Sequence, residues 1–386
     1  MYPNRFLLLL LVFSSSVWAC DFEQVQFASD FPTGRLSQCE ATPQGRYLLT
    51  LKPEDKDINP SPWYHFSVYA EKQSTIPVAL VVKGYAPRYM PKYSTDGNSW
   101  QALPFDTNNG QVQFNVPVPA GKKVYIAAQP PITNADYKAW TQSLTKATPG
   151  LEVSLLGQSK QGRDILVLTK QQPDNHEWLV ILGRQHPPEI TGAQALMDFS
   201  ERMLEDSALT KQFLDRFNVL WIPNINPDGV AAGNWRHTTD SQDLNRDWVK
   251  FSQPESRLVR DKLKSISAAG GKIAFALDFH STYYDVFYTM PDGYSIAPVA
   301  FTEQWLNDLQ AYTNGMFKVS VKPGSNPDNG VFKQFIADTY KVPSVTYEMG
   351  DNTPREKIRY IAGAAAQTLM RSLLSYTPDE YDYKEQ

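Results

Sequence analysis

At 386 residues the chain exceeds one ordinary domain, so one large or two modest domains are expected. Hydrophobic residues make up 42% and charged residues 20%, enough apolar mass for a sizeable core and too much for a globally disordered chain. The formal net charge of -4 comes with no basic stripe that could neutralise phosphates, which argues against a nucleic-acid partner.

In chain order the first element is MYPNRFLLLLLVFSSSVWAC. One positive charge at Arg5, an apolar core from Phe6 to Phe13 and small polar residues after it follow the order of a secretory signal peptide. The apolar core is too short for a membrane span. Val17 and Ala19 suit cleavage before Cys20, so residues 1–19 are expected to be removed and the mature protein exported, periplasmic or secreted. A buried N-terminal helix is the alternative. Cys20 and Cys39 are the only cysteines, and in an oxidising compartment they can close a disulfide loop of about 20 residues. A lipid anchor is the rival fate for Cys20, because Val-Trp-Ala-Cys loosely resembles a lipobox, although Trp18 fits it poorly.

From residue 20 to 131 the runs WYHFSVYA, TIPVALVVKG, QVQFNVPVPA and KKVYIAAQ alternate with Asp-Gly, Asn-Gly and Pro clusters. That spacing predicts an antiparallel β-sandwich or a similar all-β module. After the connector QPPITN, residues 132–378 change character. DILVLTK, EWLVIL, FNVLWIP, KIAFALDF and PSVTYE read as strands, and GAQALMDFSERMLEDS and PESRLVRDKLKSI as helices. Continuous apolar strands between helices predict an α/β domain with a mixed, mostly parallel sheet covered on both faces. The closing helix is expected from Pro354 to about Leu374, with Thr353 and Glu356 as a capping box. Residues 379–386 read as a loose polar tail.

Chemistry enters at GRQHPPEITG, residues 183–192, where His186 stands three residues before Glu189. Such a pair is either two ligands of one metal or two polar loop residues, and alone it is weak. It lies just past a buried strand, where open α/β sheets carry function, and Pro187 and Pro188 restrict how the flanking side chains point. His280, at the end of KIAFALDF, offers a third ligand; a satisfied polar histidine at a strand end is the bland alternative. Two imidazoles and one carboxylate leave a fourth position on tetrahedral zinc open, as a catalytic site requires. No cysteine lies near these motifs, so a Cys-based structural zinc is excluded.

Glu348 ends the apolar run PSVTY, where a carboxylate is costly without a partner or a task. It could pair with a nearby Arg or Lys, or take a proton from water and hand it to a leaving amine. Arg236 and Arg246 lie on the long loop NPDGVAAGNWRHTTDSQDLNRDW after the strand FNVLWIP. Composition alone makes them surface arginines. With a metal nearby, an Arg fork and the Asn245 amide suit a substrate carboxylate, and a second Arg suits an oxyanion.

Assembled in this order, the motifs resemble the zinc carboxypeptidases of the M14 family, from about Tyr137 to the closing helix. GQSKQGRDILVL is similar to that family's opening Gly-x-Ser-x-x-Gly-Arg segment. The resemblance implies one zinc ion per chain on His186, Glu189 and His280, with Glu348 in TYEMG as general base. It implies that Arg236 in NWRHT polarises the scissile carbonyl, and that Asn245 and Arg246 in DLNRDW grip the terminal carboxylate of a peptide or protein. Within the family, YMPKYSTDGNSW and the RQHP form of the zinc loop resemble the cytosolic-type group, which carries an N-terminal β-sandwich. Eukaryotic members of that group trim glutamates from protein tails, a role from which an exported protein departs. The mobile tyrosine of many members has no clear counterpart, since Tyr340 stands close to the following strand; Lys333 lies where a residue selecting an acidic side chain would sit. The expected activity is an exported zinc carboxypeptidase. The alternatives are a zinc amidase acting on murein peptides or amino-acid conjugates, and an inert peptide-binding module.

Overall fold

The computed structural model describes residues 20–384; the signal peptide expected over residues 1–19 lies outside them. Two sheets form the N-terminal part. One has six strands in the spatial order Cys20–Asp21, Gln26–Ala28, His65–Ala70, Lys122–Ala127, Lys92–Ser94 and Gln101–Ala102, each antiparallel to its neighbours. The other has five, in the order Gln38–Ala41, Tyr47–Leu51, Ser74–Val82, Gln111–Val118 and Phe105–Asn108. Along Gln111–Val118 every second residue is buried, so Val112, Phe114, Val116 and Val118 face inward against Phe66, Val68 and Ile126 of the opposite sheet. The sandwich is not wholly antiparallel: Tyr47–Leu51 runs parallel to Ser74–Val82, because the segment between them travels through the other sheet before returning. Cys20 and Cys39 form a disulfide that ties the first strand of one sheet to the other.

Residues from 134 onward build an eight-stranded sheet. Its strands are β1 (Leu151–Gln158), β2 (Asp164–Lys170), β3 (Glu177–Gly183), β4 (Phe217–Ile222), β5 (Lys272–Thr282), β6 (Val286–Thr289), β7 (Val321–Pro323) and β8 (Ser344–Gly350). The spatial order is β1-β2-β4-β3-β5-β8-β6-β7. The central run β4-β3-β5-β8 is parallel throughout; β1 with β2, β2 with β4 and β8 with β6 pair antiparallel, and β6 with β7 pair parallel. Sequence periodicity follows from this placement. In β3, Leu179 and Ile181 belong to the core on one face and Val180 and Leu182 to the core on the other, so the middle of the strand must be apolar on both faces.

The helices are α1 (Asn134–Ala147), α2 (Ile190–Met203), α3 (Ala208–Leu214), α4 (Pro227–Ala232), α5 (Pro254–Ala268), α6 (Phe301–Tyr312), α7 (Phe332–Tyr340) and α8 (Arg355–Ser375). α2, α6 and α8 cover one face through Leu196, Phe199, Trp305 and Ile361. α5 and α7 cover the other through Leu263, Ile266, Phe332 and Ile336. Each such side chain, fully removed from water, contributes roughly 1.5–3 kcal/mol.

Two local expectations fail. The Thr353–Glu356 capping box does not form: Pro354 is the cap residue of α8, and the Thr353 hydroxyl donates instead to Asp285 Oδ1 at 2.8 Å. The start of the tail is not loose. A 3-10 turn, Pro378–Tyr381, buries the Tyr381 ring beside Phe217, and its hydroxyl donates to Leu373 O at 2.9 Å. Burying an aromatic ring outweighs the polarity of its neighbours. Among the described residues no helix is long and apolar enough to cross a membrane.

Candidate active site

The site forms where the parallel strands end. β3 and β5 are adjacent with Gly183 opposite Phe279, so His280 emerges one residue past the end of β3. β5 and β8 place His280 opposite Glu348, which puts their side chains on one face. Beyond Gly183, Arg184 is buried with a left-handed φ of 59°. Its guanidinium holds the turn by donating to Pro187 O, Tyr137 Oη and Ile132 O. Such strain persists only when the surroundings fix it, and it marks ligand-holding turns. Helix α2 starts directly after Glu189 and is pressed against β5. A Cβ on Gly192 would lie 2.3 Å from His280 O, so only glycine permits this approach. Gly192 N also donates to Ser281 Oγ at 2.7 Å.

As a result three side chains converge. His186 Nδ1 lies 2.8 Å from Glu189 Oε1, His280 Nδ1 lies 2.8 Å from Glu189 Oε2, and the two Nδ1 atoms are 3.2 Å apart. An edge of a zinc tetrahedron with bonds of 2.0–2.1 Å measures about 3.3 Å, close to these separations. The other ring nitrogens meet carboxylates: His280 Nε2 is 2.7 Å from Asp278 Oδ2, and His186 Nε2 is 3.1 Å from Asp243 Oδ1. Metal-binding histidines are held in this way, with the outer nitrogen fixed by an acceptor. The donor set and its supports therefore fit zinc. Burial opposes charge on Glu189, but the flanking His186 and His280 hold its carboxyl well below the usual range. Burial likewise opposes charge on His280, and Asp278 and Glu189 overcome it, raising its ring well above the usual value.

Glu348 faces the same space. Its Oε2 is buried and makes no hydrogen bond among the described residues. Burial, then the Glu189 charge, raises its carboxyl to about 7, where a carboxyl both accepts and returns a proton near neutrality. Arg236 Nε donates to Asp243 Oδ2 at 2.6 Å, so Asp243 links this arginine to His186. Asn245 Oδ1 accepts from Phe332 N at 2.9 Å; its Nδ2 lies 3.3 Å from His280 Nε2, whose proton goes to Asp278, so that contact takes up none of the amide hydrogens. Arg246 Nη1 donates to Asn245 O at 2.6 Å, and among the described residues Arg246 makes no ion pair with a carboxylate.

His186, Glu189, Arg236, Asn245, Arg246 and Glu348 line one cavity of about 660 Å³, with His280 directly behind His186 and Glu189. That volume suits a small ligand or the end of a peptide. Lys333 also lines it. Its ammonium donates to Thr289 O at 2.9 Å and to Gly324 O at 2.5 Å, and burial alone lowers it to about 8. Tyr340 is elsewhere, its ring against Phe335; the tyrosines at the cavity are Tyr283 and Tyr288.

Several residues at the site escaped the sequence reading. Asp278 had a usable signal, since a residue two before His280 on a strand must share its face. Arg88 had none. It reaches from the sandwich to the cavity, with Nε 2.7 Å from Asp351 Oδ2 and Nη1 2.5 Å from Ser61 Oγ.

Residues 27–128 match the family model described as the cytosolic carboxypeptidase N-terminal domain. Cytosolic carboxypeptidase 3 of Bos taurus is 21% identical over 333 residues, covering 76% of this chain and 33% of its own length. Cytosolic carboxypeptidase 6 of Homo sapiens is 27% identical over 254 residues, covering 58% of this chain and 49% of its own length. The chain thus spans a third to a half of these two relatives. A crystal structure of a metallo-carboxypeptidase from Burkholderia cenocepacia shares the fold, with a TM-score of 0.77 at 19% identity, covering 92% of this chain and 100% of that one. Residues 137–368, more than half of the sequence, match the zinc carboxypeptidase model, and the chain belongs to the zinc carboxypeptidase family.

Proposed function

We propose that the protein is an exported, zinc-dependent carboxypeptidase that removes the last residue of peptides or protein tails. The observation that carries this reading is the single cavity in which His186 and Glu189, a proton-handling Glu348, and the arginines Arg236 and Arg246 meet, with His280 behind. His186, Glu189 and His280 would hold the metal. Zinc bound there supplies Lewis acidity and lowers the pKa of water. Glu348 takes the proton from the attacking water and passes it to the leaving nitrogen. Arg236, fixed by Asp243, stabilises the negative charge that develops on the carbonyl oxygen. Arg246 and the Asn245 amide bind the terminal carboxylate, so only the last peptide bond reaches the reacting groups. Lys333 makes no ion pair with a carboxylate among the described residues and lines the cavity, which favours an acidic terminal side chain.

Metal content tests the ligand set. The purified wild type is expected to hold one zinc per chain, and His280→Ala to lose it on dialysis, because two ligands are too few for a stable site. A His280→Ala protein that kept stoichiometric zinc would show that the ligands are other residues.

Export rests on residues 1–19 and on the disulfide, which persists in oxidising compartments. Cytosolic carboxypeptidases 3 and 6 carry the word cytosolic in their names, which describes those proteins. A disulfide and a lipid thioether on Cys20 exclude each other, since both use the same sulfur. Mature protein is therefore expected to begin at Cys20 with Cys20 and Cys39 oxidised. Intact-mass analysis showing two free thiols, or the added mass of a diacylglycerol, would contradict this.

A further inference from the structure

The sandwich does more than border the cavity. We propose that Glu54, on the sandwich loop between Tyr47–Leu51 and His65–Ala70, is a positioning residue that holds Arg236 in its working place. This rests on the carboxypeptidase reading, in which Arg236 acts on the substrate carbonyl.

Three successive backbone N–H groups point at the Glu54 carboxylate. Trp235 N donates to Oε2 at 2.8 Å, and Arg236 N and His237 N donate to Oε1 at 2.8 and 2.9 Å. Consecutive N–H groups converging in this way form an anion-binding nest, and hydrogen bonds to an ionised acceptor are about twice as strong as neutral ones. Beside it, Asp55 Oδ2 lies 2.5 Å from His237 Nδ1. Glu54, Asp55 and His237 together have the composition of a cation site. The Glu54 oxygens, however, already face three N–H donors, whose positive ends would repel a cation. The trio is a clamp on the loop.

The loop is moulded to the sandwich at further points. The Trp235 ring is buried in the sandwich core and its Nε1 donates to Trp63 O at 3.0 Å. Gly233 has φ of 63°, and a Cβ there would lie 2.7 Å from Thr33 O. Arg236 is therefore fixed from two sides: its backbone by Glu54, and its side chain by Asp243, which also touches His186 Nε2. Loss of the Glu54 anchor would free the backbone from which the guanidinium projects. A displacement of about 1 Å at a group acting on the transition state lowers turnover by up to about 100-fold without weakening substrate binding to match.

The test is a double-mutant cycle on the full-length zinc enzyme with a free-acid peptide, comparing wild type, Glu54→Gln, Arg236→Ala and the double variant. Zinc content and Tm are measured for each. Glu54→Gln keeps one carbonyl acceptor but turns an amide donor toward a backbone N–H. It is expected to keep its zinc and lower kcat about 10- to 100-fold, with KM within about twofold of wild type. Added to Arg236→Ala, it is expected to change kcat by no more than about twofold, because its effect runs through that arginine. Equal losses in both backgrounds, or a wild-type kcat for Glu54→Gln, would overturn the proposal. If Glu54→Gln does not fold, Glu54→Asp, which keeps the charge and shortens the reach, enters the same cycle with the same criteria. An Arg236→Ala enzyme with wild-type turnover would overturn the role of Arg236 and this proposal with it. A crippled Arg236→Ala beside an unaffected Glu54→Gln would overturn the positioning role alone.

Discussion

Glu348→Gln is expected to fold, to bind zinc, and to lose roughly three to five orders of magnitude in kcat. Gln matches the shape of the acid and still offers a carbonyl oxygen, but it cannot carry a proton. The metal lowers the pKa of water, yet the proton must travel to the leaving nitrogen, and Glu348 is the carboxylate in the cavity with an unengaged oxygen. The fold should tolerate the change. In the metal-free protein burial raises this carboxyl from 4.5 to about 7, so the native state binds the extra proton and stability falls as pH rises from 4.5 through 7. Gln never ionises and escapes that loss. Turnover within tenfold of wild type in zinc-loaded Glu348→Gln would show that another group carries the proton.

Arg246→Ala is expected to lower kcat/KM on free-acid peptides by about 30- to 5,000-fold and to leave amidated peptides nearly unaffected. The guanidinium is half-buried beside Asn245 and has no carboxylate of its own among the described residues. A substrate carboxylate would complete it bidentately. Removing one partner of a charge pair that the bound substrate covers costs about 2–5 kcal/mol, which is the quoted range at about 1.36 kcal/mol per factor of ten. The check is a set of matched acid and amide peptides assayed on both enzymes. An equal drop for acids and amides would mean that Arg246 acts on the peptide chain and not on its terminus.

What the sequence made legible is what local patterning encodes. β3 is buried at seven consecutive positions and apolar from Trp178 to Leu182, so its centrality could be read directly, and His280 and Glu348 stood out as polar residues closing apolar runs. The edges did not announce themselves. β1 buries only its first residue fully and looks like a polar loop, while β6 and β7 have four and three residues. Edge and short strands lack the two-faced burial that makes the central ones conspicuous. Thr353 carried the pattern of a cap, but Asp285, 68 residues away, claimed its hydroxyl. The same holds at the site. The metal ligands sit in recognisable spacings, whereas Glu54 and Arg88 act across 181–183 and 263 residues of sequence, where no local pattern reports a contact.

The central claim is that this cavity reads a free C-terminus and cleaves beside it. The measurement that tests it most directly is the ratio of wild-type kcat/KM values for one peptide as free acid and as C-terminal amide, followed by mass spectrometry of the products. An amide would cover the half-buried Arg246 without supplying its anion, so the ratio is expected to be about 30 or more, with a single terminal residue released from the acid. A ratio near one, or cleavage at internal bonds, would contradict the carboxypeptidase reading and point to an endopeptidase or amidase built on the same metal ligands.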